Sequence, residues 1–343
     1  MRALVAATAW TLFMSLSPAS WASDVPARQG VPHPVLLEGF GIDHVILAVR
    51  DLEAARTLFR DRLGFKLPPD GVFGLHATGT KNASSYFANQ SYLELLAIAD
   101  ADKVERIKPA AARYLAGGSG AIGFALSTSS APGTAERLRQ LGVAHRQPPP
   151  GTIERPGSKA PAKPKWLTVD PDSSLKLPFF FIQYLDMDYA DIFRNWESGF
   201  AEAAASNYYA QPNTATGLSA IWIVVPDVEA VVATYRRLLG GEGTRVTIPD
   251  LAAEGHVFPV VRQRIYLLQP TASAGPAADH VASRGSGVMG VSMAVKSLKT
   301  AASRLDRGAV KVDGARRGPM SRSGLVVPPS EALGVWIEFH EGD

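Results

Sequence analysis

Two side chains stand out because their surroundings do not suit them. His44 lies in an almost wholly apolar run, 42–48, and Glu94 lies in Tyr92-Leu93-Glu94-Leu95-Leu96. A strand histidine is either a hydrogen-bonded core residue or a ligand and proton carrier. Apolar residues on both faces of the second run imply cover on both sides of the strand. A carboxylate there costs several kcal/mol unless a cation, a metal or strong donors meet it. The alternative is a strand edge from which it escapes to solvent. Between the two lies His76-Ala77-Thr78-Gly79-Thr80-Lys81-Asn82, rich in small residues, hydroxyls and an amide. This segment reads either as a turn or strand start offering polar groups to a ligand, or as a surface loop. The chain has no cysteine, which removes disulfides, thiolate metal sites and cysteine nucleophiles.

The elements that must position these groups are repeated. Residues 41–65 lie without gaps on 217–241, with Asp51/Asp227, Glu53/Glu229 and Arg60/Arg236 identical. Each copy reads as an apolar strand, an Asp N-cap and a helix ending at Gly, as capping chemistry requires. Ala55, Leu58, Phe59 and Leu63 form one apolar stripe on the first helix. A second pair interleaves with the first. Gly120-Ala121-Ile122-Gly123-Phe124 matches Gly287-Val288-Met289-Gly290-Val291, each followed by a helical stretch. Room for three further strands follows each unit, ending at Tyr92, Phe179-Phe180-Phe181, Arg264 and Val335-Trp336.

The expected architecture is therefore α+β, four βαβββ modules in the order A-B-A′-B′. A single module cannot bury its apolar sheet face, so modules pair into curved sheets around clefts with helices outside. One pair spans 41–208 and the other 209–343, with a helix expected near 189–205 before the break.

Met1-Arg2, a short apolar run and Ser20-Trp21-Ala22 have the layout of a secretory signal peptide, 1–22, followed by a linker, 23–40. The protein is thus expected to be periplasmic or secreted, without a membrane span in the mature chain. With 343 residues, 46% of them hydrophobic, there is material for two cored domains. A formal charge of +3 is too small to imply a nucleic-acid partner. The Pro-laced basic stretch Lys159-Ala160-Pro161-Ala162-Lys163-Pro164-Lys165 reads as a solvated loop.

Asp43-His44-Val45, Asp51-Leu52-Glu53-Ala54-Ala55 and Leu63-Gly64-Phe65, then His76, Gly79, Thr80 and Asn82, then Tyr92-Leu93-Glu94-Leu95, resemble the glyoxalase-like domains of the vicinal-oxygen-chelate superfamily. The specific match covers about 60 residues, and the modular match nearly the whole mature chain. The resemblance implies a cleft holding a divalent metal (Fe, Mn, Ni or Zn), with ligands from the first and last strands of each module. Carried onto this chain, those positions are His44 and Glu94 in the first module. In the second they are Gly123, which cannot ligate, and Gln183, whose amide oxygen can. His76 completes the set if its segment folds inward; otherwise His76, Thr80 and Asn82 contact substrate. In the second pair the same positions read Ala220, Tyr266, Gly290 and Glu338. Glu338 and the nearby His340 fall close to the chain end, where a frayed, solvated terminus is expected. His256 and His280 fall in Gly/Ala-rich segments expected to be exposed loops.

The leading expectation is a metal-dependent isomerase, lyase or dioxygenase acting on a small molecule through adjacent oxygens, with Glu94 moving a proton. The alternative is a metal-free protein that binds an antibiotic or aromatic molecule, which the aromatic clusters Phe179-Phe180-Phe181 and Trp336 favour. A third reading is a ligand-free scaffold in an envelope complex. Oligomeric state is not legible in the sequence.

Overall fold

The computed structural model describes residues 33–154, 163–189 and 209–342. The expected signal peptide and the helix anticipated over 190–205 lie outside the described residues.

The first module runs from β1 (Gly41–Ala48) through the helix Leu52–Thr57 to β2 (Gly74–His76), β3 (Thr80–Tyr86) and β4 (Tyr92–Ile98). Asp51 caps the helix by accepting the N–H groups of Glu53 and Ala54. A π-turn, Leu58–Arg62, continues it, and the expected stripe survives with Ala55, Phe59 and Leu63 buried. Gly64, at φ +77°, takes the left-handed conformation that closes the helix. The second module comprises β5 (Gly120–Ser127), the helix Ala131–Gln140, β6 (His145–Arg146), β7 (Gly151–Glu154), β8 (Pro164–Pro171) and β9 (Phe179–Tyr184). Strands β6 and β7 pair with the same edge of β8. Between them stand Pro148, Pro149 and Pro150, which have no N–H to give to a ladder.

Both modules place their last strand parallel to their first, β1 with β4 and β5 with β9. Strand β1 runs antiparallel to β5, and β2 meets β7. The sheet therefore returns on itself and encloses an interior.

The third module repeats the pattern with β10 (Ala215–Val224), the helix Glu229–Leu239, β11 (Thr244–Ile248), β12 (Ala253–Val260) and β13 (Gln263–Pro270). The fourth departs from expectation. After β14 (Gly287–Val295) and the helix Leu298–Arg307 come only β15 (Leu325–Val327) and β16 (Trp336–Glu341). The stretch where another strand was expected is a loop that lies over the second cleft. This sheet is open, in the order β11-β12-β13-β10-β14-β16-β15.

The halves meet about a pseudo-two-fold. Gln263 Oε1 accepts the Ile42 N–H at 2.6 Å, and its Nε2 donates to the carbonyls of Ile42 and Leu218, both at 3.0 Å. At the equivalent place, Leu218 N–H donates to Ser91 Oγ at 2.9 Å. Arg304 donates to the carbonyls of Arg60 and Asp61, and Arg62 to those of Gly308 and Ala309. One apolar core runs through both halves. The described part of the expected linker belongs to it: Val35 and Leu36 are fully buried, and His33 Nε2 lies 2.8 Å from the Leu239 carbonyl.

Candidate functional site

Strand alternation sends every second residue of the first sheet inward. His44, Tyr92 and Glu94 share this inner face, as the β1–β4 register pairs His44 with Tyr92 and Ile46 with Glu94. His44 is 3% exposed and Glu94 5%. Both occupy the cleft floor, beneath partly exposed Ile46, His76, Asn82, Trp166 and Phe180.

Asp43 also points inward, although it directly precedes His44. The β1–β5 pairing slips between Ile42 and His44, leaving Asp43 as the extra residue of a bulge. Its Oδ1 lies 2.6 Å from His44 Nδ1 and accepts from the Tyr184 hydroxyl at 3.0 Å. Tyr184 spends its proton there, so Tyr92, 2.9 Å away, donates to the Tyr184 oxygen. Burial, then the Asp43 charge, holds both phenols well above their ordinary range, so both stay protonated donors. The Tyr92 ring stacks on His44 with centroids 4.4 Å apart. An ionised Asp43 requires the proton of His44 on Nδ1 and turns Nε2 toward Glu94 Oε2, at 3.6 Å.

His76 does fold inward. It ends β2, its Nδ1 is 3.1 Å from Thr80 Oγ1, and its Nε2 is 3.9 Å from Glu94 Oε1. Burial lowers its pKa, partly opposed by the Glu94 charge, which favours the neutral imidazole with a free lone pair. Asn82 donates to Glu94 Oε1 at 2.8 Å. Thr80 and Asn82 thus steady His76 and Glu94, where the sequence suggested substrate contacts. His76 also lines an outer hollow of about 240 Å³ with Asp100, Lys103 and Glu154. A larger hollow of about 540 Å³, along 183–189, lies away from His44 and Glu94.

Gln183 is not part of this group. Its Oε1 accepts the Ala131 N–H at 2.8 Å and caps the helix Ala131–Gln140 on the outer side of the sheet. Phe180 and Tyr184 are inward residues of β9, and the Phe180 ring meets His44 edge-on at 5.9 Å. An odd-numbered offset along a strand exchanges faces, which is why the expected ligand points the wrong way.

Two imidazole nitrogens and a carboxylate form an N/O donor set of the kind that Fe, Mn, Ni and Zn accept. Asp43 and Thr80 occupy the Nδ1 atoms in the manner of the outer partners that orient metal-bound histidines. Donors on one transition ion stand roughly 3.0–3.4 Å apart. Among the described residues no three His, Asp or Glu side chains stand at ligating separation. His44, His76 and Glu94 therefore fit a metal by the chemistry of their donors and would have to draw closer together to hold it.

The second cleft is filled by protein. Ala220 and Tyr266 stand at the positions of His44 and Glu94, and with Trp222, Met289 and Trp336 they form a buried apolar cluster. Glu338, far from frayed, is 0% exposed. It accepts from Ser292 Oγ at 2.6 Å and from the N–H groups of Met320 and Ser321 at 3.2 and 2.9 Å. Tyr266 donates to the Pro319 carbonyl. The loop through 318–321 thus covers this carboxylate with backbone donors. His340 is buried too, its Nε2 2.6 Å from Ser219 Oγ. His256 is buried on β12, and His280 lies on the helix Pro276–Arg284, so neither is in a loop.

Paired βαβββ modules around a polar cleft are the architecture of the vicinal-oxygen-chelate superfamily. The pattern of the Glyoxalase-like domain family matches residues 42–239, and the chain belongs to that family. No curated protein sequence matches the chain. Among solved structures, a hypothetical protein from Staphylococcus aureus is similar at TM-score 0.53 and 16% identity, over 88% of this chain and 98% of its own. A mutant of 4-hydroxymandelate synthase from Streptomyces coelicolor is similar at TM-score 0.54 and 15% identity, over 87% of this chain and 91% of its own. Methylmalonyl-CoA epimerase from Mycobacterium tuberculosis matches over 38% of this chain and 90% of its own, at 25% identity and TM-score 0.35. The two longer matches speak for the fold. Among the described residues no helix is long and apolar enough to cross a membrane.

Proposed function

We propose that the first cleft binds a divalent metal through His44, His76 and Glu94, and that the protein is an enzyme of isomerase, lyase or dioxygenase type acting on a small oxygenated molecule. The observation that supports this reading most is the convergence of two Nε2 atoms on one buried carboxylate without a hydrogen bond between them. At 3.6 and 3.9 Å the contacts are too long for hydrogen bonds. Among the described residues the hydrogen-bond donor to Glu94 is a neutral amide, Asn82. A cation between the three satisfies all of them.

In this reading Asp43 and Thr80 hold the Nδ1 protons and direct both lone pairs inward, and Asn82 fixes the carboxylate plane. Trp166, Phe180 and Tyr92 exclude water from the flanks. An ion held by His44, His76 and Glu94 would supply Lewis acidity toward adjacent substrate oxygens. Glu94 is the side chain placed to move a proton there. The layout of the first 22 residues supports export, with the mature chain beginning at Ser23.

The experiment is metal analysis of protein purified without chelators, before and after dialysis against each candidate ion. One equivalent of a transition metal, with a rise in melting temperature on reloading, is expected. The aromatic lining favours a second reading, a metal-free binder of planar molecules. Absence of metal and no thermal response to added ions select that reading.

A further inference from the structure

We propose that Ser84 is a specificity-determining residue of the first cleft, whose hydroxyl takes an oxygen of the bound molecule beside Glu94. The inference rests on the first cleft being the ligand site and does not require the metal.

Strand β3 turns Thr80, Asn82 and Ser84 to the same face. The β3–β4 register pairs Ser84 directly with Glu94, so this face is the cleft interior. Two of the three hydroxyl and amide groups have work within the protein. Thr80 Oγ1 meets His76 Nδ1, and Asn82 donates to Glu94. Ser84 does not. Its residue is 7% exposed, and among the described residues its Oγ has no hydrogen-bond partner. An orphaned buried hydroxyl costs folding free energy that alanine at the same place does not. Although Ser84 stands opposite Glu94, its hydroxyl makes no hydrogen bond to that carboxylate, whose Oε1 accepts from Asn82.

The second half supplies an internal comparison. Strands β12 and β13 pair Ala253 with Pro270, Gly255 with Leu268 and Val257 with Tyr266. Strands β3 and β4 pair Thr80 with Ile98, Asn82 with Leu96 and Ser84 with Glu94. The polar stripe Thr80/Asn82/Ser84 is thus Ala253/Gly255/Val257 where the cleft is packed with protein. Where the cleft stays accessible the stripe is polar, and the one member without an internal task stands opposite the central carboxylate. A hydroxyl kept unpaired at that spot is matched by an oxygen-bearing ligand.

The test uses the full mature chain as purified, wild type and Ser84→Ala, with catechol and phenol as probes differing by one oxygen, titrated calorimetrically. Wild type is expected to prefer catechol, with a factor of about 5–30 in that preference owed to Ser84, the worth of one buried hydrogen bond. Ser84→Ala should lower the catechol-to-phenol ratio by that same factor, whatever preference a bound metal adds in both proteins, with phenol affinity unchanged and a melting temperature equal to or above that of wild type. A lowered melting temperature with the catechol preference intact means a permanently buried water satisfies the hydroxyl, and overturns the assignment. An equal ratio in the two proteins, or no binding of either probe, overturns it as well. Metal content, read on the same samples, tests the metal reading separately.

Discussion

Asp43 and His44 are consecutive residues of one strand, yet their side chains meet, with Oδ1 2.6 Å from Nδ1. Regular alternation would send them to opposite faces. The bulge in β1 brings both to the cleft and so converts a neighbouring residue into the orienting partner of a candidate ligand. Ser219 occupies the equivalent bulge in β10, but it faces His340 and a filled cleft.

If that pair sets the His44 tautomer, Asp43→Asn should weaken metal binding by about 10–100-fold while leaving the stoichiometry at one. Competition titration against a chromophoric chelator reads this directly. An unchanged affinity would show that Asp43 serves packing alone.

Changing a ligand itself should have a larger effect. His44→Ala and Glu94→Gln are each expected to abolish stoichiometric metal uptake, whereas Glu338→Gln leaves it intact, because Glu338 is already satisfied by Ser292, Met320 and Ser321. Elemental analysis of the three proteins distinguishes the halves. Metal loss confined to Glu338→Gln would move the site to the second cleft.

Acid should destabilise the fold through half-buried neutral histidines. Burial lowers the pKa of His33 and His76, and lowers that of His280 to about 4. Between these folded values and the ordinary 6.5, the unfolded chain binds more protons, so stability rises with pH. The contribution is complete above pH 6.5 and is lost as pH falls through the folded values, to about 4 for His280. Glu338, raised by burial, acts in the opposite sense just above 4.5. Melting temperatures between pH 7.5 and 4.5 should fall progressively (roughly the span between the two histidine values), and His280→Gln should flatten the lower part of the curve.

The pseudo-two-fold seam depends on one carboxamide. Gln263→Ala leaves the Ile42 N–H and two carbonyls unpaired in a buried place, at a cost of about 3 kcal/mol. Urea unfolding with an unchanged slope should show the loss. A cost below about 0.5 kcal/mol would mean that water replaces the side chain.

Much of the fold was legible because its signals are local. Asp51 and Asp227 before helices, Gly64 and Gly240 after them, and apolar strands between mark the modules without reference to distant residues. His44 and Glu94 were legible for the same reason, as polar groups in apolar strands. Their partners were not. Asp43 faces the cleft through a bulge defined by β5, and Gln183 turns outward because register with β5 puts Phe180 inside. His76 reaches Glu94 only once β2 joins β3 and β7. The filling of the second cleft depends on a loop, 318–321, that folds over Glu338 from outside the strands. Periodicity and capping are written residue by residue, so the chain itself determined its modules. Register, closure and the occupancy of each cleft arise from contacts between segments far apart in sequence, and only the tertiary structure decided those.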